Sequence, residues 1–324
     1  MSPRCAVVDG MSTPAASIPP GDANPGPRTA AAPLVFIMRG HARFATGAVG
    51  VESAPAALRH FPNGELQARV STPVDGRHCI AVGTITPPTA NLAWLTLLAH
   101  TLRRAGASRI TALLPYLAYA RQDRALPTQS LGLAWVGELL RASGIDDVTC
   151  VDVHSEAAPS VLGLPVTSLS PAALLATALP AAWREQVTFV APDEGAIDRC
   201  AAIAVIADPH RPIAWVRKRR TPTGVEHLGF VGTLGRRVVI VDDILDTGET
   251  LLSCCRELRA LGVEEIGVLA THALFTGERW RGLFREGVTR LWLTDSVLSR
   301  RRPPDAELVP LAPLLAPLLT GSTD

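Results

Sequence analysis

The sequence is almost without lysine. Of its 31 strongly basic residues only Lys218 is lysine, and the other 30 are arginine. The two are not equivalent: arginine is a rigid planar fork, lysine a compact ammonium on a flexible stem. The single lysine therefore marks the stretch "IAWVRKRRTPTGVEHLG", residues 213–229, as one to explain. Excess charge is also missing. The net charge is +1 and there is no long basic block, which argues against nucleic acid as a main partner. No apolar run is long and unbroken enough to suggest a transmembrane helix, because Pro, Gly or a charge interrupts each one. The first residues lack the apolar stretch of a signal peptide. The cysteines (Cys5, Cys79, Cys150, Cys200, Cys254 and Cys255) contain no C-x-x-C pair, which speaks against a zinc site. They read as buried free thiols in a reducing, cytoplasmic setting. A G-x-x-x-x-G-K-[ST] sequence is absent too, so any bound nucleotide is held by another device.

What is present is enough for two domains. The chain has a mass of 34.3 kDa, with 47% hydrophobic and 19% charged residues. Residues 1–32 are Pro/Gly/Ala-rich and aperiodic, and read as a disordered leader. Strands are expected at 34–38, 79–83, 109–114, 148–152, 187–191, 212–216, 237–241, 266–270 and 290–293. The segments between them carry helical periodicity; Leu251, Cys255 and Leu258, for example, precede Gly262, which is placed as a C-cap. Continuous apolar strands alternating with helices predict an α/β fold with mainly parallel sheets flanked by helices. Two similar domains are expected, at 33–168 and 169–301, followed by a tail at 302–324 with one docking helix.

In open parallel sheets, ligands sit beyond the carboxyl ends of the strands. Five expected strand ends carry charge-dense or glycine-bearing loops: "PYLAYARQDR", "VHSE", "PDEGAIDR", "RKRR" and "DDILDTGET". In "RRVVIVDDILDTGETL", residues 236–251, an apolar strand runs into Asp242 and Asp243. The small-residue loop Asp246-Thr247-Gly248-Glu249-Thr250 then opens a helix. A helix N-terminus offers unpaired backbone N–H groups that suit a phosphate, and two adjacent acids suit sugar hydroxyls or a hydrated Mg²⁺. This stretch resembles the signature of type I phosphoribosyltransferases.

"FPNGELQARV" (61–70), "LLPYLAYARQDR" (113–124), "VDVHSE" (151–156), "APDEGAIDR" (191–199) and "RKRRTPT" (217–223) precede it in that order. Together, over about residues 34–300, they resemble the ribose-phosphate pyrophosphokinases, with an archaeal-like cast. The resemblance implies two phosphoribosyltransferase-type domains and transfer of the diphosphoryl group of ATP to the 1-hydroxyl of ribose 5-phosphate. It also implies Mg²⁺ and a dimer-based homo-oligomer, with no nucleic-acid or membrane partner. ATP binding would fall on Phe61, Asn63, Gly64, Glu65, Arg121, Gln122 and Asp123. The metal site would fall on His154 and Asp193. Ribose 5-phosphate would fall on Asp242, Asp243, Asp246, Thr247, Gly248, Glu249 and Thr250, with Arg220. Catalysis would fall on Lys218 and Arg220, where a slim ammonium enters a crowded phosphate cluster that a guanidinium does not fit.

The chain departs from the family's pattern at several points. Asn63 stands where an aspartate is usual, which keeps an acceptor and loses the charge. Glu249 stands where a second glycine is usual, and would be strained if the backbone there needed a positive φ. "PDEGAIDR" lacks a double glycine. The segment after His154 lacks the acids and amides used for allosteric nucleotides, so weak or absent ADP inhibition is expected. Residues 40–61 are short for a first helix, and the span from Lys218 to Asp242 is short for the flap. Two other readings share the motifs: a transferase that uses phosphoribosyl pyrophosphate, and a non-catalytic regulatory paralogue.

Overall fold

Two parallel sheets, each apolar along nearly the whole length of its central strands, organise the chain. The computed structural model describes residues 32–47, 50–185, 187–208, 210, 213–221 and 224–321. The expected leader, apart from Ala32, lies outside them.

In the first half, β1 (Leu34–Ile37), β2 (Glu52–Ser53), β5 (His78–Val82), β6 (Arg109–Leu114), β7 (Asp147–Val151) and β8 (Val166–Leu169) form one sheet in the order β2-β1-β5-β6-β7-β8. All its pairings are parallel. A separate hairpin, β3 (Ala56–His60) with β4 (Leu66–Val70), stands beside it. Helices α1 (Ala90–Arg104), α2 (Gly132–Ala142) and α3 (Ala158–Leu162) connect these strands.

The second half begins with α4 (Ala172–Ala178) and α5 (Ala181–Glu185). Its strands are β9 (Thr188–Ala191), β10 (Ile213–Thr221), β11 (Gly224–Val231), β12 (Arg237–Leu245), β13 (Glu265–Ala273), β14 (Val288–Thr294) and β15 (Glu307–Val309). They lie in the order β11-β10-β9-β12-β13-β14-β15. Helices α6 (Ile197–Ala207), α7 (Glu249–Ala260), α8 (Gly282–Arg285) and α9 (Ala312–Thr320) complete the chain. Only β10 with β11 is antiparallel in this sheet. Strand order reverses between β9 and β12, which is where parallel sheets open a crevice for ligands.

The nine expected strands all exist, but the described residues hold fifteen. Most of those missed are short or amphipathic edge and hairpin strands, too polar to read as core. β12 also runs further than expected. Asp242 pairs with Ala270 and Ile244 with His272, so both acids are strand residues and the loop starts only after Leu245. Residues 40–61, expected to be short for a first helix, hold one 3-10 turn at Ala42–Ala45 among the described residues.

The ends of α7 follow from its sequence. Leu251, Leu252, Cys254, Cys255 and Leu258 are buried along one face. Gly262, with φ of 84°, closes the helix: its N–H donates to Arg259 O and that of Val263 to Leu258 O, the hydrogen-bond pattern of a left-handed C-terminal stop. Five cysteines (Cys79, Cys150, Cys200, Cys254 and Cys255) are buried and in no disulfide. Burial pushes Cys150, Cys200 and Cys255 up to about 12, which makes them packing residues rather than nucleophiles. Cys5 lies outside the described residues.

Helix α9 leaves the second half and covers the first sheet. Leu311, Leu315 and Leu319 pack with Val35, Phe44, Ile80, Val82, Leu113 and Val151. No helix among the described residues is long and apolar enough to cross a membrane.

Candidate active site

The loop after β12 carries the strongest local signal. Gly248 caps α7 with φ of 80°, a conformation glycine adopts without the penalty a Cβ brings. A Cβ there would come within 2.8 Å of Trp280 Cα, so the loop also needs glycine for close packing. The first turn of α7 therefore presents its N–H groups in a tight, small-residue turn, a ready anion site. Glu249 is the first helical residue and is not among the residues with positive φ. The strain its identity threatened is absent. Its carboxylate turns outward to Arg279 at 2.9 Å.

The two adjacent acids behave oppositely. Asp243 is 6% exposed. Its Oδ2 lies 2.5 Å from His154 Nδ1 and 3.9 Å from the Arg199 guanidinium. Burial alone would raise the Asp243 carboxyl, but the His154 hydrogen bond and the Arg199 charge outweigh it and bring it down to about 2. Asp242 differs, its Oδ1 accepting the Asp243 N–H at 2.9 Å. Burial, then the charges of Asp243 and Asp193, hold its carboxyl well above the usual range. Of the pair grouped with the expected sugar contacts, Asp243 turns its carboxylate to His154 and Arg199.

First-half loops reach this site. Arg121 Nη1 donates to Asp246 Oδ2 at 2.7 Å, so a residue expected on the ATP side touches the expected phosphate loop. The other oxygen, Asp246 Oδ1, is buried with no partner among the described residues. Gln122 and Asp123 follow Arg121 in the same turn, which starts from a left-handed Tyr119 at φ of 69°. Tyr116, beside Arg121 and Asp246, is raised to about 12, chiefly by burial. His154 is raised above its ordinary value, chiefly by the hydrogen bond with Asp243.

The turn of residues 61–65 stands apart. It is the tip of the β3–β4 hairpin, closed by Phe61 N–H to Glu65 O at 2.7 Å and Gly64 N–H to Phe61 O at 2.9 Å. Asn63 Oδ1 accepts from Glu65 N–H at 3.2 Å, and Gly64 takes φ of 90°. Phe61 is exposed, under the Arg59 guanidinium. No hydrogen bond or ion pair joins this turn to the other candidate residues among those described. Lys218 and Arg220 lie on β10, opposite His227 and Val225 of β11. The flap is thus a β-hairpin with an irregularity between Val216 and Lys218. The side chains of both residues are outside what the structure describes.

The described residues hold no cluster of three or more His, Cys, Asp or Glu arranged as a metal cage. The donors present still fit a hard cation that keeps its waters and is held by one or two protein groups plus phosphates. His154 spends Nδ1 on Asp243, which leaves Nε2 as the free ligand atom, the usual arrangement around a metal-binding imidazole. The charge of Asp193 is close enough to help raise the Asp242 carboxyl. Four residues that sequence reasoning gave no role also converge here: Asp152, Arg199, Thr271 and His272. Asp152 and Arg199 lay inside quoted motifs. Thr271 and His272 sit in an apolar strand with no local signal.

The sheets, the switch point and the loop after β12 define a protein of phosphoribosyltransferase type with two such domains. Comparison agrees: residues 36–144 match the N-terminal domain of ribose phosphate pyrophosphokinase and residues 171–280 the phosphoribosyl transferase domain. The chain belongs to the ribose-phosphate pyrophosphokinase family. It is 32% identical to the Vibrio vulnificus (strain YJ016) ribose-phosphate pyrophosphokinase over 75% of this chain and 78% of that one. With the Chromobacterium violaceum enzyme of the same name it shares 30% identity over 85% and 89%. The crystal structure of phosphoribosylpyrophosphate synthetase from Mycobacterium smegmatis superposes with a TM-score of 0.77 at 25% identity, covering 89% of this chain and 97% of that chain.

Proposed function

We propose that this chain is a ribose-phosphate diphosphokinase that moves the β,γ-diphosphoryl group of ATP to the 1-hydroxyl of ribose 5-phosphate, releasing AMP. The observation that carries the reading is the meeting of loops from both halves in one crevice, through Arg121 with Asp246 and His154 with Asp243. A transfer between two phosphorylated substrates needs such a meeting, because its catalysis is mostly positioning and charge stabilisation.

Each group then has a task. The α7 N-terminus and Gly248 hold the 5-phosphate, with Asp246, Thr247, Glu249 and Thr250 shaping the loop. Asp242 accepts from the sugar hydroxyls, and the sugar's approach favours its ionised form. Arg121, Gln122 and Asp123, with Phe61, Asn63, Gly64 and Glu65, receive ATP. Lys218 and Arg220, on the β10–β11 hairpin, bring positive charge to the transferred group as its charge redistributes. His154 through Nε2, and Asp193, would hold a Mg²⁺ ion, which neutralises phosphate charge when bound.

The same reading carries a cytoplasmic setting and a dimer-based homo-oligomer. Buried cysteines in no disulfide support the first. Trp135 and Leu139, one turn apart on α2 and exposed at 42% and 36%, support the second.

Purified protein incubated with ATP, Mg²⁺ and ribose 5-phosphate is expected to yield AMP and phosphoribosyl pyrophosphate in equal amounts, followed by chromatography. Lys218→Arg, which keeps the charge and changes its shape, is expected to lower kcat by on the order of 10²-fold with ribose 5-phosphate binding intact. Equal turnover in the variant would remove Lys218 from the chemistry. Absence of both products from the wild type would overturn the activity itself.

A further inference from the structure

The turn that carries His154 belongs to the first half, yet side chains of the second half hold it from three sides. Asp152 is its pivot. It directly follows β7 and takes φ of 49°, a left-handed conformation that Asp and Asn tolerate better than other side chains. Both of its carboxylate oxygens lie 2.8 Å from Arg199 Nε. One of them also accepts from the Thr271 hydroxyl. Asp152 and Arg199 are 11% and 15% exposed as side chains, so little water competes for them. Arg199 reaches from Asp152 towards Asp243, and Asp243 meets His154. Alternating charges thus run from Asp152 through Arg199 to Asp243 and end at His154.

His272 holds the same turn by its backbone. Its ring is 2% exposed. Nε2 lies 3.1 Å from Val151 O, and a carbonyl can only accept, so Nε2 carries the proton. Burial disfavours the imidazolium, which leaves Nδ1 as an acceptor. The Ser296 hydroxyl at 2.8 Å must then donate to it. Ser296 Oγ also lies 2.9 Å from Thr271 O, but serine has a single proton, Thr271 O is already satisfied by the Thr294 hydroxyl, and Ser296 is the donor within reach of Nδ1 among the described residues. The protons therefore close around a neutral His272 that donates to the residue just before Asp152.

We propose that Asp152 is a positioning residue: its carboxylate anchors Arg199 and Thr271 of the second half so that the turn of residues 151–154 presents His154 to Asp243. This rests on the reading of the site given above. Asp152 touches no substrate and acts through its neighbours. It couples the spatial relation of the two halves to the orientation of the group at the centre of the crevice.

Asp152→Asn is the informative variant, since asparagine tolerates the left-handed turn and removes the charge and one acceptor. It is expected to lower kcat about tenfold, with KM for ATP and ribose 5-phosphate within about threefold of wild type. Arg199→Gln should do the same, and the double variant should be no slower than the slower single, as for groups acting in one chain. Effects that multiply would overturn the proposal. So would recovery of Asp152→Asn turnover at high Mg²⁺, which would make Asp152 a metal ligand. If Asp152→Asn does not fold, Thr271→Val, which removes only the hydroxyl, is expected to lower kcat roughly threefold, and no change would count against the grip. Amide hydrogen exchange at residues 151–154 tests the grip without turnover: exchange about tenfold faster in Thr271→Val is expected, and unchanged exchange would overturn it. Turnover by the wild type in the same assay keeps failure of the activity separate from failure of this proposal.

Discussion

The turn after β7 and the loop after β12 are both strand-end turns, and they are built on opposite plans. The loop after β12 makes its own shape: Gly248 supplies the left-handed residue and α7 supplies the N–H groups. The turn after β7 borrows its shape. A non-glycine residue, Asp152, sits at a positive φ, and Arg199, Thr271 and His272 from the other half hold it there. A loop of the first kind survives changes at a distance and fails when its own residues change. A turn of the second kind does the reverse.

That contrast breaks most sharply at Gly248. Gly248→Ala adds roughly 1–2 kcal/mol of left-handed backbone strain and pushes against the Trp280 backbone, with 2.8 Å available. Ribose 5-phosphate affinity, measured by calorimetry, is expected to fall at least about tenfold, while the His154 resonance stays put. A shifted His154 would mean that the loops are not independent.

His272→Phe tests the borrowed turn. The ring volume is kept, but Val151 O and the Ser296 hydroxyl lose their partner. The cost is expected to be about 1–3 kcal/mol of stability, read by chemical denaturation, with ribose 5-phosphate affinity unchanged. A weakened phosphate loop would blur the distinction.

The smallest effect concerns protons. His154 is raised above its ordinary 6.5 by Asp243, so its share of stability is full below 6.5 and is lost as pH rises through the higher folded value. Asp243 is lowered from 3.8 to about 2, so its share is present above 3.8 and is lost as pH falls towards 2. The pair contributes fully between those limits. In a histidine NMR titration of the substrate-free protein, Asp243→Asn should lower the His154 value, and Gly248→Ala should leave it unchanged. Because His154 is 40% exposed, a modest change is expected.

The same contrast decides what the sequence disclosed. The loop after β12 was legible because its devices are consecutive: apolar strand, acids, glycine, helix start. The β-strand cores were legible for the same reason. The limit of β12 was misjudged because Asp242 and Asp243 read as loop residues, while the strand through them continues to pair with β13 at Asp242, Ile244 and Leu245. Thr271 and His272 gave no sign, since their partners Asp152 and Ser296 lie 119 and 24 residues away and the strand around them is ordinary core. Asn63 looked like a weakened contact, and in the fold it closes a hairpin turn through Glu65.

Helix α9 sets an order of events during synthesis. The strands that Leu311, Leu315 and Leu319 cover leave the ribosome long before these leucines do. Until the last turns of the chain emerge, that apolar face of the newborn first half stays wet and adhesive. A nascent chain halted after the β12 loop would carry all the strand-end loops named above and still lack part of the wall behind them.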